Sequence, residues 1–448
     1  MKVVIVGGGL VGSTLAEKLS RDRHDVSLVD ESADRIRELS RTLDVRTVAG
    51  NGSTAPVLRR AGIVGADLVI ATSNVDEVNM VVGLLASERF DVPRTVVRLR
   101  DPDHAESFAL LTRGNRDHVC VNPVQAAVDR ISALLEVRGA IDVMSFLDDR
   151  LLVAGFRIHE PSDFVGLRVS DMNLLFAETP ALAVAIERGE QWLIPHGEEL
   201  IESGDLVYFA LAREHMESIL DLVAVREDRR RDVMIAGATR IGLLLAKRLA
   251  GEDLRVVLIE GDPERAQAAA EALQHTTIVH GSVTSQALLE EEEVERVSTF
   301  VAVTEEHETN LVAGLLAKRL GAGRALVMVD NPELVRLVGG LDIDAIISPR
   351  VLVVGIALQH ILGDRVRSVA QLLEDRIEIL EAEVKEGSEL TRAPLAEVKL
   401  PRGVLVAALA RGDHLLVPRG SDRAAVGDRV LLITTTENEP RVARFLGE

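Results

Sequence analysis

The same pattern of strand, glycine turn and helix occurs twice in this chain, at an offset of 230 residues. In the first copy a β-branched run at 1–6 leads into Gly7-Gly8-Gly9-Leu10-Val11-Gly12, and 13–20 has the spacing of an amphipathic helix. In the second copy three residues repeat the first, namely Gly237 for Gly7, Gly242 for Gly12 and Glu260 for Asp30. The repeat predicts two copies of one folding unit.

The glycine turn has the arrangement that a Rossmann fold uses to bind a nucleotide pyrophosphate. Its first glycine permits the sharp turn, the second lets backbone approach the phosphates, and the third lets helix and strand pack closely. The phosphates then lie at the helix N-terminus. Asp30 ends the next predicted strand, 18 positions after Gly12, where a carboxylate binds the ribose hydroxyls. Because an acid there repels a 2′-phosphate, the pattern favours NAD(H) or an adenine nucleotide over NADP; an empty turn of the same shape is the alternative.

Helix and strand patterns alternate along the rest of the first copy, as a parallel sheet requires. We therefore predict an α/β fold with a doubly wound parallel sheet, whose ligands bind beyond the carboxyl ends of the strands. Besides the glycine turn and Asp30, the candidate site comprises the residues that follow these predicted strands: Glu31, Asn51, Gly52, Ser53, Thr72, Ser73, Asn74, Glu77, Asn79, Arg98 and Arg100.

Two arginines lie at the end of the predicted strand 94–100. Arg98 and Arg100 are two positions apart, so their side chains point to the same face. A bound anion such as a nucleotide phosphate explains why two cationic side chains share this face, because ligands of such sheets lie at this strand end. Pairing with the nearby Asp101 or Asp103 explains them equally well, since charged side chains are rarely buried without a partner.

The second copy departs from the first at positions that carry the nucleotide chemistry. Thr239 stands at the position of Gly9, where a side chain lies in the path of the pyrophosphate. The arginines at the strand end are matched by Val329 and Asn331. We expect the second copy to bind a nucleotide poorly, to take another ligand, or to be a structural copy.

A smaller segment follows each copy, and these two segments also match each other. Pro195 and Gly204 correspond to Pro418 and Gly427 at an offset of 223. Short strands joined by Gly-Asp turns predict compact α+β lobes, and a charged run at 226–232 marks the boundary between the halves. The predicted order is a Rossmann-like lobe, a small lobe, a second Rossmann-like lobe and a second small lobe, at 1–138, 139–226, 230–365 and 366–448.

Composition limits the partners of the chain. The 448 residues carry a formal net charge of -20, which repels nucleic acids and anionic lipid surfaces. A single cysteine, Cys120, excludes an intramolecular disulfide and a zinc site built from cysteines. No apolar run reaches the ~18 to 20 residues that span a bilayer, and the start has no signal-peptide pattern. We expect a cytosolic protein and predict no metal site.

These features resemble the tandem RCK (KTN) regulatory subunits of bacterial Trk potassium-uptake systems, over essentially the whole chain. The resemblance rests on VVIVGGGLVG with Asp30, the Gly50-Asn51-Gly52 turn, ATSNVDEVN at 71–79, RLRDP at 98–102 and the repeated order of lobes. Such membership implies a nucleotide-binding regulatory subunit, peripheral on the cytoplasmic face of the membrane, that gates a membrane-embedded potassium transporter through a ring of RCK units. It implies NAD(H), ATP or ADP as ligands of the N-terminal lobes, and a homotetramer if eight units close the ring.

With this resemblance in view we assign roles to the candidate residues as hypotheses. Residues 7–12 cradle the phosphates, and Asp30 holds the adenosine ribose. Residues 51–53 border the adenine, and 72–74 close the crevice beside it. The two arginines at the strand end face a distal phosphate.

An NAD-dependent dehydrogenase is the alternative from another class of protein. It shares the glycine turn, but it needs a second domain that brings a general acid or base to the nicotinamide. The segment after residue 150 offers His159, His196 and His215, without a paired acid at motif spacing. We therefore predict a regulator that is not an enzyme.

Overall fold

The computed structural model describes most of the chain. Of the predicted boundary run at 226–232, residues 226–231 lie outside the described part. The described residues are 1–112, 117–160, 162–176, 181–189, 191–216, 220, 232–251, 254–338, 341–362, 368–372, 377–435, 438, 442, 445 and 446.

The first lobe is a parallel sheet with helices between its strands. The strands are β1 (Lys2–Val6), β2 (Asp25–Asp30), β3 (Arg46–Ala49), β4 (Leu68–Ala71), β5 (Arg94–Arg98) and β6 (His118–Val121). The helices are α1 (Leu10–Arg21), α2 (Ala33–Thr42), α3 (Ala55–Arg60), α4 (Asp76–Leu84), α5 (Pro102–Leu111) and α6 (Pro123–Glu136). The spatial order is β3-β2-β1-β4-β5-β6, and neighbouring strands run parallel. This order confirms the doubly wound prediction and places a crevice where it reverses, beyond the ends of β1 and β4.

The sequence explains why these elements form. β1 and β4 are continuous apolar runs, as strands covered on both faces require, and both are buried almost throughout. Two helices begin at side-chain caps: Ser32 accepts the N–H of Arg35 before α2, and Asp101 accepts the N–H of Asp103 before α5. Pro102 occupies the first position of α5, where its missing N–H is no loss.

The second Rossmann-like lobe repeats this architecture. Its strands are β12 (Val233–Ala236), β13 (Val256–Glu260), β14 (Thr277–His280), β15 (Thr299–Ala302), β16 (Arg324–Met328) and β17 (Ala345–Ile347), in the order β14-β13-β12-β15-β16-β17. Its helices are α8 (Arg240–Leu249), α9 (Pro263–Ala272), α10 (Gln286–Glu291), α11 (His307–Arg319), α12 (Pro332–Val338) and α13 (Pro349–Leu362). The predicted repeat is confirmed at the level of sheet topology.

The small lobes are antiparallel sheets, as the α+β prediction requires. The first contains β7 (Asp142–Phe146), β8 (Leu151–Arg157), β9 (Ala181–Arg188), β10 (Gln191–Leu193) and β11 (Leu206–Ala212), with α7 (Val169–Leu175) between β8 and β9. The second contains β18 (Ser368–Leu372), β19 (Ile377–Glu383), β20 (Val404–Arg411), β21 (His414–Leu416) and β22 (Arg429–Thr435). The orders β10-β9-β11-β8-β7 and β18-β19-β22-β20-β21 leave a short strand at one edge of each sheet.

A π-helical turn shifts the register between the two Rossmann-like lobes. Leu68 and Thr299, the first residues of β4 and β15, are 231 positions apart, whereas Arg94 and Arg324, the first residues of β5 and β16, are 230 apart. α4 continues into the π-helical turn Leu85–Arg89. Such a turn takes in one residue more than an α-helical turn, which accounts for the extra residue of the first lobe.

This shift corrects the matching of the strand ends. Met328 and Asp330, rather than Val329 and Asn331, stand where the first lobe has its two arginines. The correspondence of Asn331 with Asp101 supports the corrected register, because each side chain accepts a backbone N–H two residues ahead, at 2.9 Å. The second lobe therefore carries an acid where the first carries Arg100.

The described chain divides into two compact units, and the first includes α13. This unit consists of Met1–Asp129, Met328–Arg336 and Ile347–Ile361. Val353 and Leu358 of α13 lie in the same buried core as Ile5 and Leu15 of the first lobe. Arg94 Nη1 donates a hydrogen bond to the carbonyl of His360, 3.2 Å away. The predicted boundaries assign this helix to 230–365, and those boundaries stay a prediction.

The second unit holds the second sheet and both small lobes. It consists of Arg130–Val327, Leu337–Ile346 and Leu362–Glu448. Arg324, the counterpart of Arg94, donates from Nη1 to the carbonyl of Leu134, 2.9 Å away. The sheets of the two small lobes share one buried core, in which Leu151 and Tyr208 of the first lie with Ile379 of the second.

Within the described residues, no helix combines the length and the apolar character needed to cross a membrane. The same part of the chain contains no group of three or more His, Cys, Asp or Glu side chains placed to hold a metal ion.

Candidate functional site

The glycine turn between β1 and α1 adopts a backbone that requires glycine at two positions. Gly7 has a φ of 107°, and a Cβ there would lie 2.7 Å from the backbone nitrogen of Ser73. A Cβ on Gly12 would lie 1.8 Å from the carbonyl oxygen of Gly7. The turn is therefore tight, and α1 packs directly against the end of β1.

The N-terminus of α1 is open. Gly9 is the N-cap residue and offers no side chain to cap the helix, and a Cβ on it would meet no described atom within 4 Å. The first backbone hydrogen bond of the helix runs from the N–H of Ser13 to the carbonyl of Gly9, so the N–H groups of residues 10–12, Leu10 and Val11 among them, have no intrahelical acceptor. Room and unpaired donors at a helix N-terminus fit a phosphate group.

Asp30 is fixed beside this turn by backbone donors. Its Oδ2 accepts the N–H of Gly8 at 2.7 Å, and its Oδ1 accepts the N–H of Ser32 at 2.9 Å. The carboxylate is half-buried, and Glu31 beside it is exposed. Each carboxylate oxygen keeps a further lone pair, so the fixed carboxylate can accept additional hydrogen bonds.

Arg35 also touches the glycine turn, and sequence reasoning missed it. Its Nε donates to the carbonyl of Gly8 at 2.9 Å. It lies on α2, four residues beyond Glu31. The sequence alone does not show that α2 lies against the glycine turn, so it does not identify this contact.

The loop after β3 is a compact turn at the edge of the crevice. The Oδ1 of Asn51 accepts the backbone N–H of Ser53 at 2.9 Å and its hydroxyl at 2.6 Å. Gly52 is buried, and a Cβ on it would lie 2.3 Å from a methyl carbon of Val6 at the end of β1. The turn is thereby tied to the strand that leads into the glycine turn.

Three predicted site residues bind the protein's own backbone. Thr72 is buried, and its hydroxyl donates to the carbonyl of Val6 at 3.3 Å. The backbone N–H of Ser73 donates to Oδ1 of Asn79 at 2.8 Å, and Nδ2 of Asn79 donates to the carbonyls of Ser73 and Arg98, both at 2.9 Å. Asn79 is fully buried. These contacts join the ends of β4 and β5, so they shape the crevice. Glu77, by contrast, is exposed.

Arg100 pairs with a carboxylate that the sequence analysis did not single out. Asp76 is buried, and its Oδ2 accepts the N–H groups of Arg100 (2.8 Å) and Asp101 (2.9 Å). Its Oδ1 accepts from Nε of Arg100 at 3.3 Å. Burial acts to raise the pKa of Asp76, but these donors outweigh it and hold that pKa below its ordinary value. The local-pairing alternative thus holds for Arg100, with Asp76 in place of Asp101 or Asp103.

Arg98 has a different environment. Its Nη1 reaches Oδ1 of Asn74 at 3.4 Å, and its Nε is buried without a hydrogen-bond partner among the described residues. None of its contacts within those residues is a salt bridge. Burial lowers the pKa of the Arg98 guanidinium, and Arg100 lowers it further, while Asp76 and Asp330 act in the opposite direction. Among the described residues of the first lobe, the end of β5 therefore carries a cation that makes no salt bridge.

In the second lobe, the helix N-terminus and the acid at the end of β13 both have side-chain partners. Thr239 is the N-cap of α8, and its hydroxyl oxygen accepts the N–H of Gly242 at 3.3 Å while donating to the carbonyl of Val303 at 2.8 Å. Glu260 is buried, and its Oε1 accepts from Nη2 of Arg265 at 3.0 Å. The helix end is capped and the acid is neutralised by residues of the lobe itself.

Cys120 is partly buried against the first core, as the sequence suggests for a packed residue. Burial raises the pKa of its thiol to about 11.

Comparison with known proteins agrees with this architecture. The chain matches the family model of the TrkA-N domain at residues 3–121 and 233–349, and that of the TrkA-C domain at residues 153–224 and 379–447. It is 34% identical to the Trk system potassium uptake protein TrkA of Azorhizobium caulinodans, over 99% of this chain and 98% of that one. It is 34% identical to the protein of the same name from Halomonas elongata, over 98% of this chain and 97% of that one.

Solved structures show the same fold. The RCK domain of GsuK superposes with a TM-score of 0.63 at 19% identity, covering 99% of this chain and 94% of that one. A GsuK channel bound to NAD superposes with a TM-score of 0.64 at 19% identity, covering 99% and 78%.

Proposed function

The chain belongs to the family of the Trk system potassium uptake protein TrkA, and from that premise we propose that it is the nucleotide-binding regulatory subunit of such a system. It gates a membrane-embedded potassium transporter through a ligand-dependent change in a ring of its RCK units. The observation that carries the proposal is the open N-terminus of α1 beside the oriented carboxylate of Asp30.

One nucleotide, NAD(H) or ATP or ADP, binds per chain, in the first lobe. The contrast between the lobes supports this assignment. Gly9 leaves open space at the start of its helix, whereas the side chain of Thr239 occupies that space and its hydroxyl accepts the N–H of Gly242. Asp30 is free to accept ribose hydroxyls, whereas Glu260 is paired with Arg265. Nucleotide binding to a GsuK channel is a property of that protein, and it agrees with the class of ligand proposed here.

Each part of the site has its own role in this proposal. The N–H groups of residues 10–12 bind the pyrophosphate, Asp30 binds the adenosine ribose, and residues 51–53 border the adenine. Thr72 and Asn79 position the crevice through their backbone contacts. Arg98, whose Nε is buried without a hydrogen-bond partner among the described residues, faces a distal phosphate.

The protein acts by binding rather than by catalysis. A ligand shifts a conformational equilibrium only as far as its affinities for the two states differ. A coupling free energy of ~1 to 3 kcal/mol changes the equilibrium between the two states about 5- to 150-fold. The dehydrogenase alternative has no observation in its favour within the described residues.

The transporter places the protein at the cytoplasmic face of the membrane. A homotetramer supplies eight RCK units and closes the ring. The formal net charge of -20 favours docking through a protein partner over direct binding to anionic lipid.

Calorimetric titration of the full chain with ATP, ADP, NAD and NADH tests the proposal. Asp30→Ala is expected to weaken binding about tenfold or more, because hydrogen bonds to a charged group contribute about 1.5 to 3 kcal/mol. Asp25→Ala is the matched control, since it removes an exposed acid from the other end of the same strand. Equal affinities of the two variants would contradict the ribose assignment, and absence of binding by the wild type would contradict the proposal.

Potassium uptake tests the gating step with the same two variants. In cells whose only uptake system is this one, Asp30→Ala is expected to lose the response of uptake to cellular nucleotide, and Asp25→Ala to keep it.

A further inference from the structure

The turn between β7 and β8 has an unusual backbone. Leu147, Asp148 and Asp149 have φ angles of 55°, 57° and 66°. This left-handed region is unfavourable for residues other than glycine, which visit it singly rather than in runs. Leu147 is also fully buried. A backbone of this kind persists only where the surrounding structure holds it in place.

The second small lobe supplies the contacts that hold this turn. The backbone N–H of Leu147 donates to Oε2 of Glu381 on β19, at 2.9 Å. Arg429 on β22 donates from Nε to Oε1 of the same carboxylate at 3.0 Å, and its Nη1 forms a salt bridge with Asp148. An acid and an arginine of one small lobe therefore hold the strained turn of the other.

The inner and outer parts of this contact differ in their exposure to solvent. The side chain of Glu381 is 4% exposed and that of Asp148 is 74% exposed, with Arg429 between them. Salt screens an exposed pair of charges and affects a buried pair much less. A cavity of about 540 Å³ borders Asp148 and Arg429, so the outer side of the turn has room to change its conformation.

The pair that holds the turn occurs in one small lobe and not in the other. β11 and β22 are related by an offset of 223 residues, which matches Arg429 with Leu206. The strand registers then match Glu381 with Gly155. At these two positions the first small lobe has neither an acid nor an arginine, so the arrangement is present once.

We propose that residues 147–149, Glu381 and Arg429 form a latch between the two small lobes, which opens as a local step and opens more readily as the salt concentration rises. When the N–H of Leu147 leaves Glu381, the backbone of the turn is released from its left-handed conformation. Salt favours this step because it weakens the exposed pair of Asp148 and Arg429. The latch gives the small lobes two discrete arrangements, which conformational control requires. This inference does not depend on nucleotide binding.

Hydrogen exchange of the full chain, followed by mass spectrometry, tests the inner contact. Glu381→Gln leaves one acceptor oxygen for two donors, and it is expected to speed the exchange of residues 146–150 about tenfold or more. Exchange in β8 and β11 is expected to stay unchanged. Glu198→Gln is the matched control, because Glu198 pairs with Arg168 within one small lobe. If Glu381→Gln fails to fold, Arg429→Lys takes its place, since lysine keeps the charge and lacks the planar fork.

The salt dependence of the same exchange tests the outer contact. Raising the KCl concentration from about 0.05 to about 0.5 M is expected to speed exchange of the turn about two- to fivefold in the wild type. In Asp148→Asn this dependence is expected to vanish. Asparagine tolerates left-handed backbone as aspartate does, so the variant removes the charge without adding strain.

Three outcomes overturn the inference. One is an exchange rate of the turn that Glu381→Gln leaves unchanged. Another is an equal acceleration in the turn and in β8 and β11, which indicates loss of the whole fold rather than a local opening. The third is a salt dependence that Asp148→Asn retains. Because no nucleotide is present in these experiments, their failure leaves the proposed function untouched.

Discussion

Replacing Gly9 by threonine is expected to close the nucleotide site without harming the fold. Gly9 has φ −68° and ψ −172°, and its counterpart Thr239 has φ −71° and ψ 171°. A threonine therefore adopts the backbone of position 9 without strain. The new hydroxyl is expected to accept the N–H of Gly12, as the hydroxyl of Thr239 accepts that of Gly242.

The stability and the affinity of this variant change in opposite directions. The side chain adds a helix cap and restricts the unfolded chain, so the free energy of unfolding without nucleotide stays equal or rises by about 0.5 to 1 kcal/mol. A phosphate that loses the N–H of Gly12 as a donor loses about 1.5 to 3 kcal/mol, and the added side chain also fills the space that the phosphate needs. Binding is thus expected to weaken by about 1.5 to 3 kcal/mol or more, a factor of roughly 10 to 150.

Thermal unfolding with and without nucleotide measures both effects. A ligand present at about 100 times its dissociation constant stabilises the wild type by about 2.7 kcal/mol, and the threonine variant is expected to lose about half of this or more. Gly9→Ala is the control, because it adds a methyl group without a capping hydroxyl and is expected to keep more affinity. If nucleotide stabilises Gly9→Thr as much as it stabilises the wild type, the reasoning about the open helix end is refuted.

Two further predictions concern the supporting residues. Asp76→Ala is expected to lower the free energy of unfolding by about 3 kcal/mol at pH 7, because the N–H groups of Arg100 and Asp101 lose their acceptor; Glu77→Ala, at the exposed neighbour, should change it by less than about 0.5 kcal/mol. Since the folded-state pKa of Asp76 is depressed, its contribution is present above about pH 4 and is lost as pH falls through the folded value, so urea unfolding of wild type and Asp76→Ala should converge only in acid. With a thiol pKa of about 11, Cys120 should be about one-thousandth thiolate at pH 8 and should react with a thiol reagent far more slowly than free cysteine; a rate equal to that of free cysteine would contradict the burial of this thiol.

The sequence predicts the large-scale fold because its signals are local and repeated. Glycines at 7 and 12 are required by backbone geometry, and their repetition at 237 and 242 identifies the second copy. The effect of Thr239 on nucleotide binding stays a prediction. The sequence predicts that its side chain fills the space for a pyrophosphate, and the structure adds that its hydroxyl accepts the N–H of Gly242.

What the sequence does not predict depends on contacts between distant segments. The extra residue of the π-helical turn Leu85–Arg89 leaves no clear pattern, so sequence matching places the counterparts of the arginines one residue too late. Asp76 stands beside Glu77 at the start of α4, and the sequence alone does not tell which acid is part of the site. Only the burial of Asp76 and its backbone donors in the segment after β5 distinguish the two. An apolar helix such as α13 does not specify which sheet it packs on.

The number of nucleotides bound per chain tests the central claim most directly. Calorimetric titration of the full chain gives this number together with the affinity. One nucleotide per chain, lost in Gly9→Thr, is the result that the account predicts, because the first helix end is open and the second is capped by Thr239. Two nucleotides per chain, or one that Gly9→Thr leaves in place, would contradict it.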